Sequence, residues 1–222
     1  MKISVISPVY QAQDIVDELV KRLIIELEKI TNDYEILLID DGSKDNSWIK
    51  IKQNCEANSK VKGIKLSKNF GQHYAIFAGT KNATGDFIIR LDIHCEFPSN
   101  YISSLVSYLE DKPHVGNVGL PCETLPAQPN LLSSAIAMSA SSKIGVGTSS
   151  FRIGGGDKVL SVDTVPFGCW RKEIFNEIGY FDTELIRNQD DEFNQRILKA
   201  NYKIHLLPGN RIKYFARPDL KS

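Results

Sequence analysis

Within its first 98 residues this chain has four short apolar runs, each ending in a polar loop, and the first three pass on into a helical pattern. Ile3 to Pro8 is an apolar run, and Ile15, Leu19, Leu23 and Leu27 then recur at helical spacing. Tyr34 to Ile39 ends in Asp40-Asp41-Gly42-Ser43-Lys44-Asp45-Asn46-Ser47, and a helix carrying Trp48 and Ile51 follows. In that cluster Ser and Asp supply turn and helix-capping chemistry. Val61 to Leu66 runs through Ser67-Lys68-Asn69-Phe70-Gly71-Gln72 into a helix with Tyr74, Ala75, Ala78 and Gly79. Thr84-Gly85-Asp86 turns the chain into Phe87-Ile88-Ile89-Arg90-Leu91, which meets Asp92-Ile93-His94 and is stopped by Pro98. Such alternation predicts an α/β fold, with a Rossmann-like, mostly parallel sheet flanked by helices and joined by right-handed crossovers.

In that architecture the loops after Ile6, Ile39, Leu66 and Leu91 gather beyond the carboxyl ends of the strands, where open α/β sheets bind ligands. The pattern alone thus assembles Tyr10, Asp41, Lys68, Asn69, Asp92 and His94 around one crevice. On an extended segment residues two apart point the same way, so one metal ion can take both Asp92 and His94. Bound there, a metal would act as a Lewis acid on a leaving group. An ordinary strand end with polar residues would read the same, and imidazole suits manganese less well than carboxylate. Asp40 and Asp41 can accept hydrogen bonds from a ribose hydroxyl or a base N–H, and equally serve as turn and cap residues.

After Pro98 the rhythm changes. Tyr101 to Glu110 reads as a helix, Val115 to Pro121 as a strand and Gln128 to Ala140 as a helix. Gly145 to Gly156 is rich in glycine and serine and reads as a loop that orders over a ligand. Val162 to Trp170 is strand-like, Lys172 to Ile178 helical, and Asn188-Gln189-Asp190-Asp191-Glu192 opens a further helix, where acids suit the dipole. Tyr202 to Leu207 is a last strand. A general base could be drawn from Asp190, Asp191, Glu192 or Asp163, and the residues themselves leave that choice open. Lys68 and Arg152 are candidate phosphate contacts, but single basic side chains are usually solvated. Trp170 and Tyr180 suit sugar stacking and core packing equally. His73 and His205 read as surface or core-edge residues.

Composition excludes several classes. Lys+Arg 27 balances Asp+Glu 27, which argues against nucleic acid as a partner. Cys55, Cys95, Cys122 and Cys169 are far apart, which argues against a disulfide scaffold or zinc ribbon and fits a reducing cytoplasm. Met1 to Ile6 is too short and strand-like for a signal peptide. Leu131 to Val146, the most apolar stretch, is interrupted by serines and Lys143 and falls short of the ~18 apolar residues a membrane helix needs.

Taken together, Ser7-Pro8-Val9-Tyr10, Ile39-Asp40-Asp41-Gly42-Ser43, Asn69-Phe70-Gly71, Ala83-Thr84-Gly85-Asp86 and Leu91-Asp92-Ile93-His94 resemble, in order and spacing, the family 2 glycosyltransferases. Gln189-Asp190-Asp191-Glu192, followed by Arg196, is similar to their downstream acidic motif. Ser67 to Gly71 is similar to dolichol- and polyprenyl-phosphate sugar transferases. Asp163 to Gly168 and Arg187 to Glu192 look more like bacterial exopolysaccharide enzymes of the succinoglycan type. The resemblance implies a GT-A fold over residues 1–222, with 1–98 as the nucleotide-sugar half and 99–222 as a mixed, acceptor-side extension carrying the base. It implies inverting transfer of a sugar from a nucleotide-diphosphate sugar to the hydroxyl of a glycan or lipid-linked acceptor, in cell-surface polysaccharide or lipid-linked glycan synthesis. Pro8, Tyr10, Asp41, Lys68, Asp86 and Asp92 would then line the nucleotide-sugar site. Asp92 and His94 would hold Mn2+ or Mg2+, and Asp190 would be the catalytic base. His94 replaces the family's second Asp, and Gln189 its usual Glu. The rivals are a sugar nucleotidyltransferase, which would want a basic glycine-rich loop after the first strand, and a non-catalytic nucleotide-sugar module. The basic and aromatic tail, Arg211 to Pro218, would touch the inner face of the cytoplasmic membrane, making the protein peripheral there.

Overall fold

The computed structural model describes residues 1–126 and 156–216. The helix expected over 128–140, the loop from 145 to 155, Arg152 and the tail beyond 216 lie outside the described residues.

The strand and helix alternation is present. β1 (Ile3–Val9), α1 (Val16–Leu27), β2 (Tyr34–Asp40), α2 (Ser47–Ala57), β3 (Val61–Lys65), α3 (Gln72–Asn82) and β4 (Phe87–Arg90) follow one another in the chain. β3, β2, β1 and β4 lie side by side and pair in parallel. β1 and β2 are buried along their whole length, as strands covered on both faces must be. Alternate residues feed two apolar layers. Ile3, Val5, Ile36, Leu38 and Ile89 face α1, whereas Ile6, Leu37, Ile39 and Ile88 join the layer beneath α3. The buried stripe of α1 is Val16, Val20, Leu23 and Leu27, while Ile15 stays partly exposed just ahead of the first turn.

β5 (Cys95–Glu96), α4 (Tyr101–Glu110), β6 (Val115–Gly119) and β7 (Cys122–Pro126) follow. Then come β8 (Leu160–Val162), β9 (Cys169–Arg171), α5 (Lys172–Ile178), α6 (Gln189–Lys199), β10 (Lys203–Leu206) and β11 (Ile212–Ala216). The large sheet runs β3-β2-β1-β4-β9-β6-β10-β8. β9 enters between β4 and β6 antiparallel to both, which makes the sheet mixed.

One expectation is corrected. The strand-like segment 162–170 is two strands, because the backbone between them turns through positive φ at Phe167 (60°) and Gly168 (100°). A side chain at 168 would stand 2.4 Å from Asn117 Oδ1, so the chain passes there only as glycine. The tail, as far as 216, carries a strand. β11 joins β5 antiparallel and β7 in parallel to form a second, three-stranded sheet. Among the described residues no helix is long and apolar enough to cross a membrane.

Trp170 belongs to the core: 1% exposed, it meets Phe175, Phe181 and Phe193 edge-on. Phe193 stacks on Phe181 at 4.4 Å and on Phe175 at 5.0 Å. This aromatic block seats α6 against the sheet, and Tyr180 stacks on its outer side against Phe175.

Candidate active site

The first two loops interlock through side chains of the acidic cluster. Ser43 Oγ, Ser47 Oγ and Asp45 Oδ2 accept from the backbone N–H groups of Gln11, Ala12 and Gln13 in turn. Gln13 Oε1 accepts from Asn46 N–H, and Asp45 Oδ1 accepts from Ser47 N–H in the turn that leads into α2. The third loop is tied to the second by Asp41, whose two oxygens accept from Phe70 N–H at 2.8 Å and Gly71 N–H at 2.9 Å. Burial raises the Asp41 carboxyl, and these two bonds oppose it. Gly42 (φ 68°) lets the loops touch, since a Cβ there would lie 2.4 Å from the Lys68 carbonyl carbon. Lys68 extends its ammonium over the Phe70 ring.

Both acids of the Asp40-Asp41 pair therefore serve the scaffold. Asp40 Oδ1 accepts from Ser43 N–H, in the turn role expected of one of them. Its Oδ2 is buried without a protein partner, as are Ser7 Oγ and His73 Nδ1. His73 is more buried than a core-edge reading implied, at 6% exposure, with its ring folded beside Gly71. Pro8 is buried in β1, and Tyr10, just beyond it, is exposed with its hydroxyl accepting from Gln11 Nε2.

Strand β4 stops at Arg90, and Asp92-Ile93-His94 lies in a turn closed by Cys95 N–H donating to Asp92 O. The two-residue periodicity invoked for Asp92 and His94 therefore does not apply. Asp92 faces the protein, its side chain 14% exposed, while His94 is exposed. Among the described residues no group of three or more His, Cys, Asp and Glu side chains converges. Asp92 Oδ2 accepts from Gln72 Nε2 at 2.7 Å and Arg90 Nη2 at 3.3 Å, and Oδ1 accepts from Arg90 Nε at 3.2 Å. A carboxylate oxygen has two lone pairs, so Oδ1 retains one acceptor direction.

Arg90 is the residue the sequence reading passed over. Its side chain is 3% exposed, and Nη1 donates to Asp190 Oδ1 at 2.6 Å. The available signal was a cation inside an apolar strand, since a buried charge needs partners. Of the four acids left open above, the other three are engaged or placed elsewhere. Asp191 accepts from Thr164 Oγ1, Glu192 pairs with Arg196, and Asp163 is exposed just beyond β8. Asp190 lies in the first turn of α6, after Asn188 takes a left-handed turn (φ 60°). Burial pushes its carboxyl up to about 6 against the opposing pull of Arg90, with Asp92 and Asp191 adding to the rise.

Pro8, Tyr10, Asp41, Lys68 and Asp92 lie at or beyond the carboxyl ends of their strands, and Asp190 meets them there through Arg90. Asp86 does not join them. It precedes β4 at the opposite edge, where its carboxylate accepts from Lys2 N–H at 2.7 Å.

A profile described as "Glycosyl transferase family 2" matches residues 4–123, more than half of the chain and the whole region of the interlocked loops. The chain belongs to the family 2 glycosyl transferases. Solved structures with the same fold agree. S. aureus TarS matches 98% of the chain at 17% identity with a TM-score of 0.72. TarS 1-349 in complex with UDP-GlcNAc covers 98% of the chain at 19% identity, TM-score 0.70. The mannosyltransferase PcManGT from Pyrobaculum calidifontis, in complex with GDP-Man and Mn2+, covers 97% at 18% identity, TM-score 0.71. The chain spans 37%, 59% and 57% of those chains respectively. At these identities the likeness establishes the GT-A fold of this family 2 chain.

Proposed function

We propose that this family 2 chain is an inverting glycosyltransferase, which moves a sugar from a nucleotide-diphosphate donor to an acceptor hydroxyl. The observation that carries the reading is the meeting of Asp190 with the Asp92 end of β4, the two carboxylates sharing Arg90. A base placed beside the donor-diphosphate end of the crevice is what single displacement needs. Asp190 takes the acceptor's proton as its oxygen bonds to the anomeric carbon. The bond from that carbon to the diphosphate oxygen breaks, the nucleoside diphosphate departs, and the configuration inverts. A carboxylate lifted to about 6 is a better base near neutrality than an ordinary aspartate.

Donor binding is supported by the unpartnered buried atoms Ser7 Oγ and Asp40 Oδ2, at the carboxyl ends of β1 and β2. Buried polar atoms normally find partners, and ribose hydroxyls or base N–H groups would supply them. Pro8 and Tyr10 would flank the nucleoside, and Lys68 the phosphates. Mn2+ or Mg2+ would be held through the free direction of Asp92 Oδ1 and the imidazole of His94. Bound there, the cation would neutralise the leaving diphosphate. TarS with UDP-GlcNAc and PcManGT with GDP-Man and Mn2+ support this class of donor and cofactor. The likeness to succinoglycan-type and polyprenyl-phosphate enzymes favours a glycan or lipid-linked acceptor in polysaccharide synthesis, at the cytoplasmic membrane face.

The test is nucleotide release from UDP-GlcNAc, UDP-glucose, GDP-mannose and dTDP-glucose with manganese, for wild type and Asp190→Asn. Release of nucleoside diphosphate that the substitution abolishes supports the reading. Release of pyrophosphate would identify a nucleotidyltransferase. Donor binding without turnover would identify a binding module.

A further inference from the structure

We propose that Arg90 is a positioning residue of the transfer reaction, holding the carboxylates of Asp92 and Asp190 on one guanidinium and so setting the base against the donor. The inference rests on the glycosyltransferase reading and adds a residue to it.

The geometry is that of a fork held from several sides. Nε and Nη2 go to the two oxygens of Asp92, and Nη1 goes to Asp190. The guanidinium carbon lies 5.3 Å from the centre of the Phe167 ring. The Arg90 backbone N–H donates to Gly168 O at 3.1 Å, in the positive-φ turn that also orients Phe167. Strand, ring and two anions leave the guanidinium little freedom. Its donors are fixed relative to one another, as an ammonium's on a flexible stem are not.

A plain structural ion pair is the competing account, and the surroundings argue against it. Helix α6 is anchored without Arg90. Phe193 is seated in the aromatic block, and Arg196 captures the carbonyls of Ile178 and Tyr180. Asn194 bonds Asn117, Thr164 and Val165 O. The Asp92 turn is likewise closed by its own backbone and by the small sheet that follows. What Arg90 adds is the direction of Asp190 and, together with Gln72 Nε2, that of Asp92. An Asp190 free to swing would meet the acceptor hydroxyl in the wrong place, and misplacement of about 1 Å can cost on the order of 100-fold in rate.

The experiment compares wild type, Arg90→Lys, Asp190→Asn and Arg90→Lys/Asp190→Asn, with Arg90→Met as a harsher variant that can fail to fold. Nucleotide release from the best substrate of the four-donor panel is measured with manganese, together with donor KM and thermal unfolding. Arg90→Lys is expected to unfold within a few degrees of wild type and to keep donor KM within about threefold, while kcat falls on the order of 100-fold. In the Asp190→Asn background the same lysine should change kcat less than about threefold, because residues acting as a unit are not additive. Arg90→Lys at wild-type kcat, or an equal loss in both backgrounds, overturns the positioning role. So does an Arg90→Lys protein that no longer folds, since that would make the contact structural. An Asp190→Asn variant as active as wild type overturns the function reading itself, a distinguishable result.

Discussion

Arg90 Nη1 donates to Asp190 Oδ1 at 2.6 Å, across a separation of 100 residues. The contact joins the end of β4 to the first turn of α6, and with it the two halves of the expected reaction centre.

Replacing Asp190 with Asn removes the base and keeps the shape. Transfer should fall by about 10²- to 10⁴-fold, with donor affinity unchanged because the proposed reading puts Asp190 on the acceptor. Initial rates beside donor-induced thermal shifts check this; a comparable loss of donor binding would contradict the assignment.

The raised Asp190 carboxyl should set the acid limb of the proposed reaction. Only the deprotonated form accepts the acceptor's proton, so kcat/KM should climb with pH and level off above about 6. A pH–rate profile on the preferred donor reads this directly. A limb near 4, an ordinary aspartate's value, would mean that another group or step governs the rate.

Asp92 and His94 should separate in a manganese titration. Asp92→Asn removes charge from the cation and from Arg90, and should abolish metal-stimulated turnover. His94→Ala removes an exposed side chain, and should raise the half-saturating manganese concentration by about tenfold or more with folding intact. A His94→Ala titration that overlays wild type would leave Asp92 as the metal contact contributed by this pair.

Gly42→Ala should be costly although the residue is in a surface turn. The added carbon would meet Lys68 and Asn69 backbone atoms at 2.4 and 2.5 Å, and neither is a flexible side-chain end. A destabilisation of about 1–3 kcal/mol is expected, with weakened donor binding, because the loop bonded to Asp41 must move. Denaturant unfolding and donor thermal shifts check both parts.

Glu26 gives a stability signature away from the site. Its carboxylate accepts from Ile102 N–H at 2.7 Å at the start of α4, and burial lifts it to about 7. Between pH 4.5 and 7 the folded chain then binds more protons than the unfolded one, so stability falls as pH rises through that window. Glu26→Gln should flatten this part of the dependence. Unfolding curves at pH 5 and pH 8 for both proteins measure it, and an equal fall in each would remove Glu26 as the cause.

Much of the first half was legible because its signals are local. Each apolar run and loop is a short pattern, and the rule that ligands sit beyond strand ends carried Tyr10, Asp41, Lys68 and Asp92 to one edge. Asp86 failed for an equally simple reason: it precedes its strand and so falls on the opposite edge, beside Lys2. Asp41 was placed correctly, but its bonds to Phe70 and Gly71 could not be read, since a turn-forming Asp and a loop-clamping Asp look alike in sequence.

The sequence by itself determined the four parallel strands of the first half and their two covering layers, because periodicity and turn chemistry act over a few residues. Tertiary structure alone decided which of four acids pairs with Arg90, that β9 enters antiparallel beside β4, and that residues 212–216 form a strand beside β5. It also decided that a cation in an apolar strand is shared by Asp92 and Asp190. No local pattern carries that information. A buried charge is tolerable only once its partners arrive, and here one of them comes from the far half of the chain.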